Sequence, residues 1–292
     1  MREIAGKRVL VTGAASGIGR GAALAFAAEG STLLLADIDE AGLARVRGEI
    51  AALGAPCRTY HTDVTDIGSV KAMAAAIDEE FGGIDVLVNV AGVAVCGSAM
   101  HIPLDDWHWI MDVNLWRPIH TMLTFVPGMI DRGAGGHIVN VASVAGLVGV
   151  AAIIPYTTTK FALVGLSEAL RTELRGNGIG VTAFCPGLTN TPIATRARVH
   201  GFAETAYAKA STVLKALGKS PVRTGRLIVK AVKNDKALVV TTGLGHLMYQ
   251  WHRLTPGLFR AAAGASHPLL GRFIGMPDGA GGAGCGDEPR QS

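Results

Sequence analysis

The stretch Arg8-Val9-Leu10-Val11-Thr12-Gly13-Ala14-Ala15-Ser16-Gly17-Ile18-Gly19 constrains the fold of this 292-residue chain more than any other. A β-branched apolar run meets a glycine-rich turn. Ile18 through Ala28 then reads as a helix, and Leu33-Leu34-Leu35-Ala36-Asp37 as a second strand, which together make a β-α-β unit. Strands that are continuously apolar, without alternation, are buried on both faces, as in a parallel sheet covered by helices. The glycines permit a tight turn and close backbone approach to a pyrophosphate, with the free amides of the next helix facing its oxygens. An isolated glycine cluster is often a plain turn; the strand before it and the helix after it favour the phosphate-binding reading.

The same alternation continues along the chain. Helices are predicted over 40–53 and 67–81, strands over 57–62 and 84–89, and a long helix over 105–130 in which Pro118 and Pro127 imply kinks or an interruption. Further strands follow at 136–141, 180–185 and 237–241, with a helix over 158–175. The expected fold is α/β: a doubly wound, Rossmann-type, mostly parallel seven-stranded sheet flanked by helices. Residues 1–245 read as one domain with a variable substrate region at about 190–220, residues 246–278 as a packing extension, and 279–292, rich in glycine, as a flexible tail.

Hydrophobic residues at 49% and charged residues at 17% give enough apolar surface for a core and exclude a disordered chain. The net charge of +4 is not gathered into a basic arm, so no nucleic-acid partner is expected. Cys57, Cys96, Cys185 and Cys285 form no metal-ligand spacing and read as free thiols of a reducing compartment. His61, His101, His108, His120 and His137 read as structural or surface residues, so no metal is expected. The N-terminus has no apolar leader and no run has the length of a membrane span, which predicts a cytoplasmic protein without a transmembrane segment.

Tyr156-Thr157-Thr158-Thr159-Lys160 sets a phenol and an ammonium four residues apart, on one face of a helix. The ammonium is expected to favour the phenolate and lower the Tyr156 pKa. Ser143 lies upstream, after a buried strand, with a hydroxyl that can hydrogen-bond a substrate oxygen while Tyr156 exchanges a proton with it. No G-x-S-x-G elbow surrounds Ser143, which speaks against a serine hydrolase. Asp37 ends the second strand, where a carboxylate can accept from ribose hydroxyls and repel a 2′-phosphate. Neither Ile38 nor Ser16 supplies a phosphate-binding base, so NAD is expected over NADP.

Taken together, the glycine loop, Ser143, Tyr156 and Lys160 resemble the short-chain dehydrogenase/reductase family over roughly residues 4 to 190. The resemblance implies a catalytic set of Asn114, Ser143, Tyr156 and Lys160, with Asn114 holding a water against the lysine. It implies cofactor binding by Gly13, Ser16, Gly17, Ile18, Gly19, Asp37 and Ile38, by Asp63 and Val64 beside the adenine, and by Asn89, Ala91 and Gly92. Val90 replaces an asparagine usual in the family at that last segment. Pro186, Gly187 and Thr191 are expected at the nicotinamide and phosphates, and Tyr156 and Lys160 at the nicotinamide ribose.

The implied activity is NAD(H)-dependent interconversion of a secondary alcohol and a ketone, in a homodimer or homotetramer. Val93, Val95, Val144, Leu147, Val148, Ile153 and Ile154 are expected to line a pocket for a small apolar alcohol or ketone. A hydroxysteroid or other bulky alcohol is the alternative substrate, and a cofactor-binding regulatory module the non-enzyme alternative. Phe202, Tyr207, Val213, Leu214 and Leu217 give the variable region apolar surface. The segment from Gly245 to Phe273 can cover the substrate mouth, pack on another subunit or rest on a membrane surface, and packing is the expectation.

Overall fold

The computed structural model describes residues 1–201, 212 and 216–274. Strands β1 (Arg8–Thr12), β2 (Thr32–Asp37), β3 (Cys57–His61), β4 (Val86–Asn89), β6 (Gly136–Val141), β7 (Ile179–Cys185) and β9 (Leu238–Val240) form one sheet in the order β3-β2-β1-β4-β6-β7-β9, and every pairing is parallel. The expected doubly wound sheet is present.

Successive side chains of a strand point to opposite faces, and the sequence fills both. Val9, Val11, Leu33, Leu35, Val86 and Val88 face one side, where they meet α1 (Gly17–Ala27), α2 (Glu40–Ala51) and α7 (Pro221–Lys233) through Phe26, Val46 and Ile228. Leu10, Leu34, Leu87, Ile138 and Val181 face the other. There they meet α3 (Ile67–Phe81), α5 (Arg117–Asp131) and α6 (Ile154–Glu173) through Ile77, Phe125 and Leu170. The aspartates that follow β2 and β3 start the next helices: Asp39 accepts from the Gly42 amide at 2.9 Å, and Asp66 from Gly68 and Ser69 at 2.8 and 3.2 Å.

The helix predicted over 105–130 is divided. Helix α4 (Leu104–Met111) passes into a π-helical turn, Asp112–Trp116, before α5 begins with Pro118 in its first turn, while Pro127 lies inside α5. The helix expected from Thr158 starts earlier, at Ile154, which places Tyr156 in its first turn. A short parallel ribbon of β5 (Val95–Gly97) and β8 (Arg198–His200) stands apart from the main sheet. The chain closes with α8 (Gly243–Leu254) and α9 (Pro256–Ile274); the break falls at Thr255 and Pro256, whereas Pro268 does not end α9. Phe202, Tyr207, Val213 and Leu214 of the variable region, and the tail 279–292, lie outside the described residues.

Because the chain winds outward from β1 to β3 and then returns to β4, the loops after β1 and β4 diverge. This reversal of strand order opens a crevice at the carboxyl ends of the strands, the place where such sheets receive ligands.

Candidate active site

The segments expected to hold the cofactor, together with Ser143, sit at this carboxyl edge: the 13–19 loop after β1, Asp37 and Ile38 at the end of β2, Asp63 and Val64 after β3, Asn89 to Gly92 at β4, Ser143 after β6, and Pro186 to Thr191 after β7. A cavity of about 550 Å³ joins Ile18, Gly92, Ser143, Tyr156, Lys160, Pro186, Gly187 and Thr191. Gly13, Ser16, Gly17 and Gly19 of the loop, Asp37, Ile38, Asp63, Val64, Asn89, Ala91 and Asn114 do not line it.

The glycine loop is closely packed. Gly13 has a positive φ of 67°, and a Cβ there would come within 2.8 Å of the Ala91 nitrogen; a Cβ on Gly19 would lie 2.0 Å from the Gly13 oxygen. Only glycine lets the loop fold this tightly against β4. Ser16 at the start of α1 makes no side-chain cap and the first turn carries no carboxylate, so the helix amides suit a phosphate. Asp37 accepts from the Ala15 amide at 3.0 Å and the Asp39 amide at 3.1 Å, which fixes a carboxylate beside the loop. The cradle and the carboxylate together fit a dinucleotide. Arg45, which sequence reasoning passed over, reaches back from α2 to donate to the Ala15 oxygen at 3.1 Å.

Asn89 at the end of β4 is buried. It donates to Asn140 at 3.0 Å and accepts from the Thr121 hydroxyl at 2.8 Å, and Asn140 continues the chain to Ser167 at 3.0 Å. Val90 keeps an anchor through its backbone, donating to the Thr12 hydroxyl at 3.2 Å, while its side chain lines the cavity. The family's missing asparagine therefore does not unfasten this segment. Asp63 is held below the usual carboxylate range, chiefly by the Thr65 hydroxyl.

Asn114 sits in the π turn with its amide committed. Its Oδ1 accepts from the Val93 amide at 2.8 Å, and its Nδ2 donates to the Val93 oxygen at 2.9 Å and to the Thr159 hydroxyl at 3.2 Å. The Thr159 hydroxyl in turn donates to the backbone carbonyl oxygen of Tyr156 at 2.8 Å. This network ties the loop after β4 to the first turn of α6, and a π turn recurs at functional sites because it re-aims a few residues.

Ser143, extended after β6, accepts from the Ala145 amide at 3.1 Å and hydrogen-bonds the Tyr156 hydroxyl. Lys160 is buried, 5.5 Å from the Tyr156 ring centre. The expected lowering of the Tyr156 pKa is not found. Burial pushes the phenol up to about 12 against the opposing hydrogen bond from Ser143, and burial lowers Lys160 to about 8. In this enclosed site the cost of burying charge outweighs the attraction. Cys185 is buried behind the site, with burial taking its thiol to about 12, while Cys96 faces the cavity. Cys285 lies outside the described residues.

The pocket wall differs from the expected one. Val144 and Ile153 line it, but Leu147 and Val148 are core, Val95 is buried with Ile102 and Ile110, Val93 packs against that cluster, and Ile154 faces outward. The wall is completed by Ala94, Cys96, Val150, Leu188, Ile193 and, from the C-terminal region, Leu217, Leu244 and Met248. Among the described residues, no cluster of three or more His, Cys, Asp or Glu could hold a metal ion.

This geometry agrees with comparison to known proteins. The family model for short chain dehydrogenases matches residues 7–200. The probable oxidoreductase EphD of Mycobacterium tuberculosis is 34% identical over 261 residues, or 87% of this chain, and the chain spans only 44% of its length. Galactitol 2-dehydrogenase of Agrobacterium fabrum is 40% identical over 184 residues, 63% of this chain and 71% of that protein. A crystal structure of a short chain dehydrogenase/reductase from Burkholderia phymatum in complex with NAD superposes with a TM-score of 0.82 at 30% identity, covering 88% of this chain and 96% of that one. The chain belongs to the short-chain dehydrogenase family.

Proposed function

We propose that the protein is an NAD(H)-dependent oxidoreductase that interconverts a secondary alcohol and a ketone. The observation that carries this reading is the meeting of Ser143, Tyr156 and Lys160 in one cavity at the strand-order reversal. When bound, the nicotinamide supplies or accepts the hydride. The chain supplies position and proton: the Ser143 hydroxyl orients the substrate oxygen, and Tyr156, a neutral phenol at neutral pH, donates its proton to that oxygen during reduction and takes one back during oxidation. Gly13, Ser16, Gly17, Ile18 and Gly19 would hold the pyrophosphate, and Asp37 with Ile38 the adenosine ribose. Asp63 and Val64 would lie by the adenine, Asn89, Ala91 and Gly92 along the nucleotide, and Pro186, Gly187 and Thr191 at the nicotinamide end. Lys160 would hold the nicotinamide ribose, and the Asn114 backbone oxygen would hold the relay water, since its side chain is already committed.

Val150, Ile153, Leu188, Ile193 and Met248 support an apolar alcohol or ketone as substrate. Trp116, Leu123 and Phe161 expose apolar surface on or beside α5 and α6, which supports a homo-oligomer built through those helices. The test is a panel of apolar alcohols and ketones, with polyols such as galactitol included, followed by nicotinamide absorbance. Tyr156→Phe should bind NADH as the parent does and lose about 10²-fold to 10⁴-fold in turnover. Undiminished turnover in a folded Tyr156→Phe protein would remove the assigned role, and activity confined to polyols would remove the apolar substrate.

A further inference from the structure

The last described helices carry an apolar edge that the other described residues leave uncovered. Leu244, Leu247, Trp251 and Leu254 are 70%, 64%, 42% and 76% exposed. Their spacing of three and four residues sets them along one side of α8, while Gly245 is buried and Met248 lines the catalytic cavity. Leu258, at the start of α9, is also exposed, and an edge-to-face contact of 5.3 Å between Trp251 and Phe259 joins the two helices. The edge runs into the cavity mouth: Leu188, Leu217 and Leu244 line the cavity and are exposed at the same time.

Charge selects what can cover such a face. From Lys236 to Pro277 the sequence contains no aspartate or glutamate, while Arg253 and Arg260 are exposed on α8 and α9. A second copy of the same face would bring arginine toward arginine with no carboxylate in this segment to neutralise them. A bilayer surface with anionic headgroups accepts both features, since leucine and tryptophan enter the acyl boundary and arginine meets phosphate. Among the described residues, no helix is long and apolar enough to cross a membrane, so the contact is one of lying on the surface.

We propose that α8 and the first turns of α9 dock the protein on an anionic membrane surface, with the catalytic cavity opening toward the lipid. The docking stands on exposure and charge alone. Delivery of an apolar substrate from the bilayer additionally rests on the alcohol and ketone reading above.

The experiment is sedimentation of the full chain with vesicles of phosphatidylcholine alone and of phosphatidylcholine mixed with phosphatidylglycerol, without substrate or nucleotide. The parent should bind the mixed vesicles, and binding should weaken as salt is raised. Leu247→Ser with Leu254→Ser, at two exposed positions outside the cavity wall, should reduce the vesicle partition coefficient by about tenfold or more. Absence of parent binding to the mixed vesicles, or equal binding by the double variant, would overturn the proposal. So would a double variant that turns a stable assembly into monomers while the parent ignores vesicles, since the occupant would then be a second copy. The readout needs no turnover, so an inactive protein that binds vesicles would refute only the enzymatic reading.

Discussion

Lys160 on α6 donates from Nζ to the backbone oxygen of Val141 at 2.9 Å, fastening the helix that carries Tyr156 to the last residue of the strand that leads to Ser143. The ammonium thus acts as a strut between these two segments, 5.5 Å from the centre of the Tyr156 ring. That arrangement accounts for Tyr156 holding its proton: burial pushes it up, and Ser143, not Lys160, opposes the shift.

The pH dependence follows with a definite sign. A phenol raised to about 12 remains a proton donor across the neutral range, so ketone reduction should be flat there. Alcohol oxidation needs the proton removed, and its kcat/KM should climb with pH, approaching about tenfold per unit while the group remains below its pKa. Ser143→Ala removes the hydrogen bond that lowers the phenol pKa and should move the oxidation limb to higher pH. Steady-state profiles in both directions check this, and a flat oxidation profile between neutral and alkaline pH would contradict it.

Arg45 changes what Asp37 is expected to do. The arginine donates to the Ala15 oxygen while the Ala15 amide donates to Asp37, so a cation and a carboxylate flank the same loop residue. Asp37→Ser should shift the ratio of NADPH to NADH affinity toward NADPH by about tenfold or more, because the repelling charge is gone and Arg45 remains. Adding Arg45→Ala should abolish that gain. Calorimetric titration at matched salt measures both, and an unchanged ratio in Asp37→Ser would remove Asp37 as the selector.

Asp106 on α4 secures the ribbon that borders the cavity. Arg198 pairs with it at 2.5 Å and His200 bonds its other oxygen, while the Arg198 guanidinium lies 3.7 Å from the Trp109 ring centre. Burial pushes the Asp106 carboxyl up, but the hydrogen bonds from Arg198 and His200 win and hold it below its ordinary value. Its contribution is therefore present above the ordinary carboxylate pKa and is lost as pH falls through the lower folded value. Asp106→Asn should raise KM several-fold with a smaller change in kcat, because β5 carries Cys96 into the cavity wall. The stability cost should be about 1 kcal/mol, discounted for the exposure of Arg198. Equal KM values in parent and variant would show that the ribbon does not shape the pocket.

The main sheet was legible because its central strands are apolar on both faces and most strands are bounded by glycine or by an aspartate that caps the next helix. Much of the candidate site was legible because the glycine loop, Asp37, Asn89 and Ser143 end or directly follow those strands, and the four-residue spacing of Tyr156 and Lys160 marks one face of a helix. The β5 and β8 ribbon was not, since three residues in each strand carry no period and their pairing spans the chain. The π turn holding Asn114 left only Pro118 as a signal. The pocket wall was misread for a physical reason: a valine facing a cavity and one facing the core have the same composition, and only packing separated Val144 from Val148. Helix α7 went unread, although it packs directly on α1.

That last contact yields a stability test. A Cβ on Gly225 of α7 would lie 2.1 Å from the Gly21 oxygen of α1, and one on Gly21 would lie 2.2 Å from the Pro221 oxygen, so the two helices meet backbone to backbone. Helix α1 also carries Gly17 and Gly19, so a displacement of α1 would move the loop proposed to hold the dinucleotide. Gly225→Ala should cost about 1–3 kcal/mol through overpacking and should also weaken NADH binding. Gly48 on α2 has open space where its Cβ would be, and Gly48→Ala should instead stabilise by about 0.5–1 kcal/mol by improving helix propensity. Denaturant unfolding of the two variants measures the contrast. If Gly225→Ala were as stable as the parent, α1 and α7 would have room to separate, and the close crossing would not fix the position of the nucleotide loop.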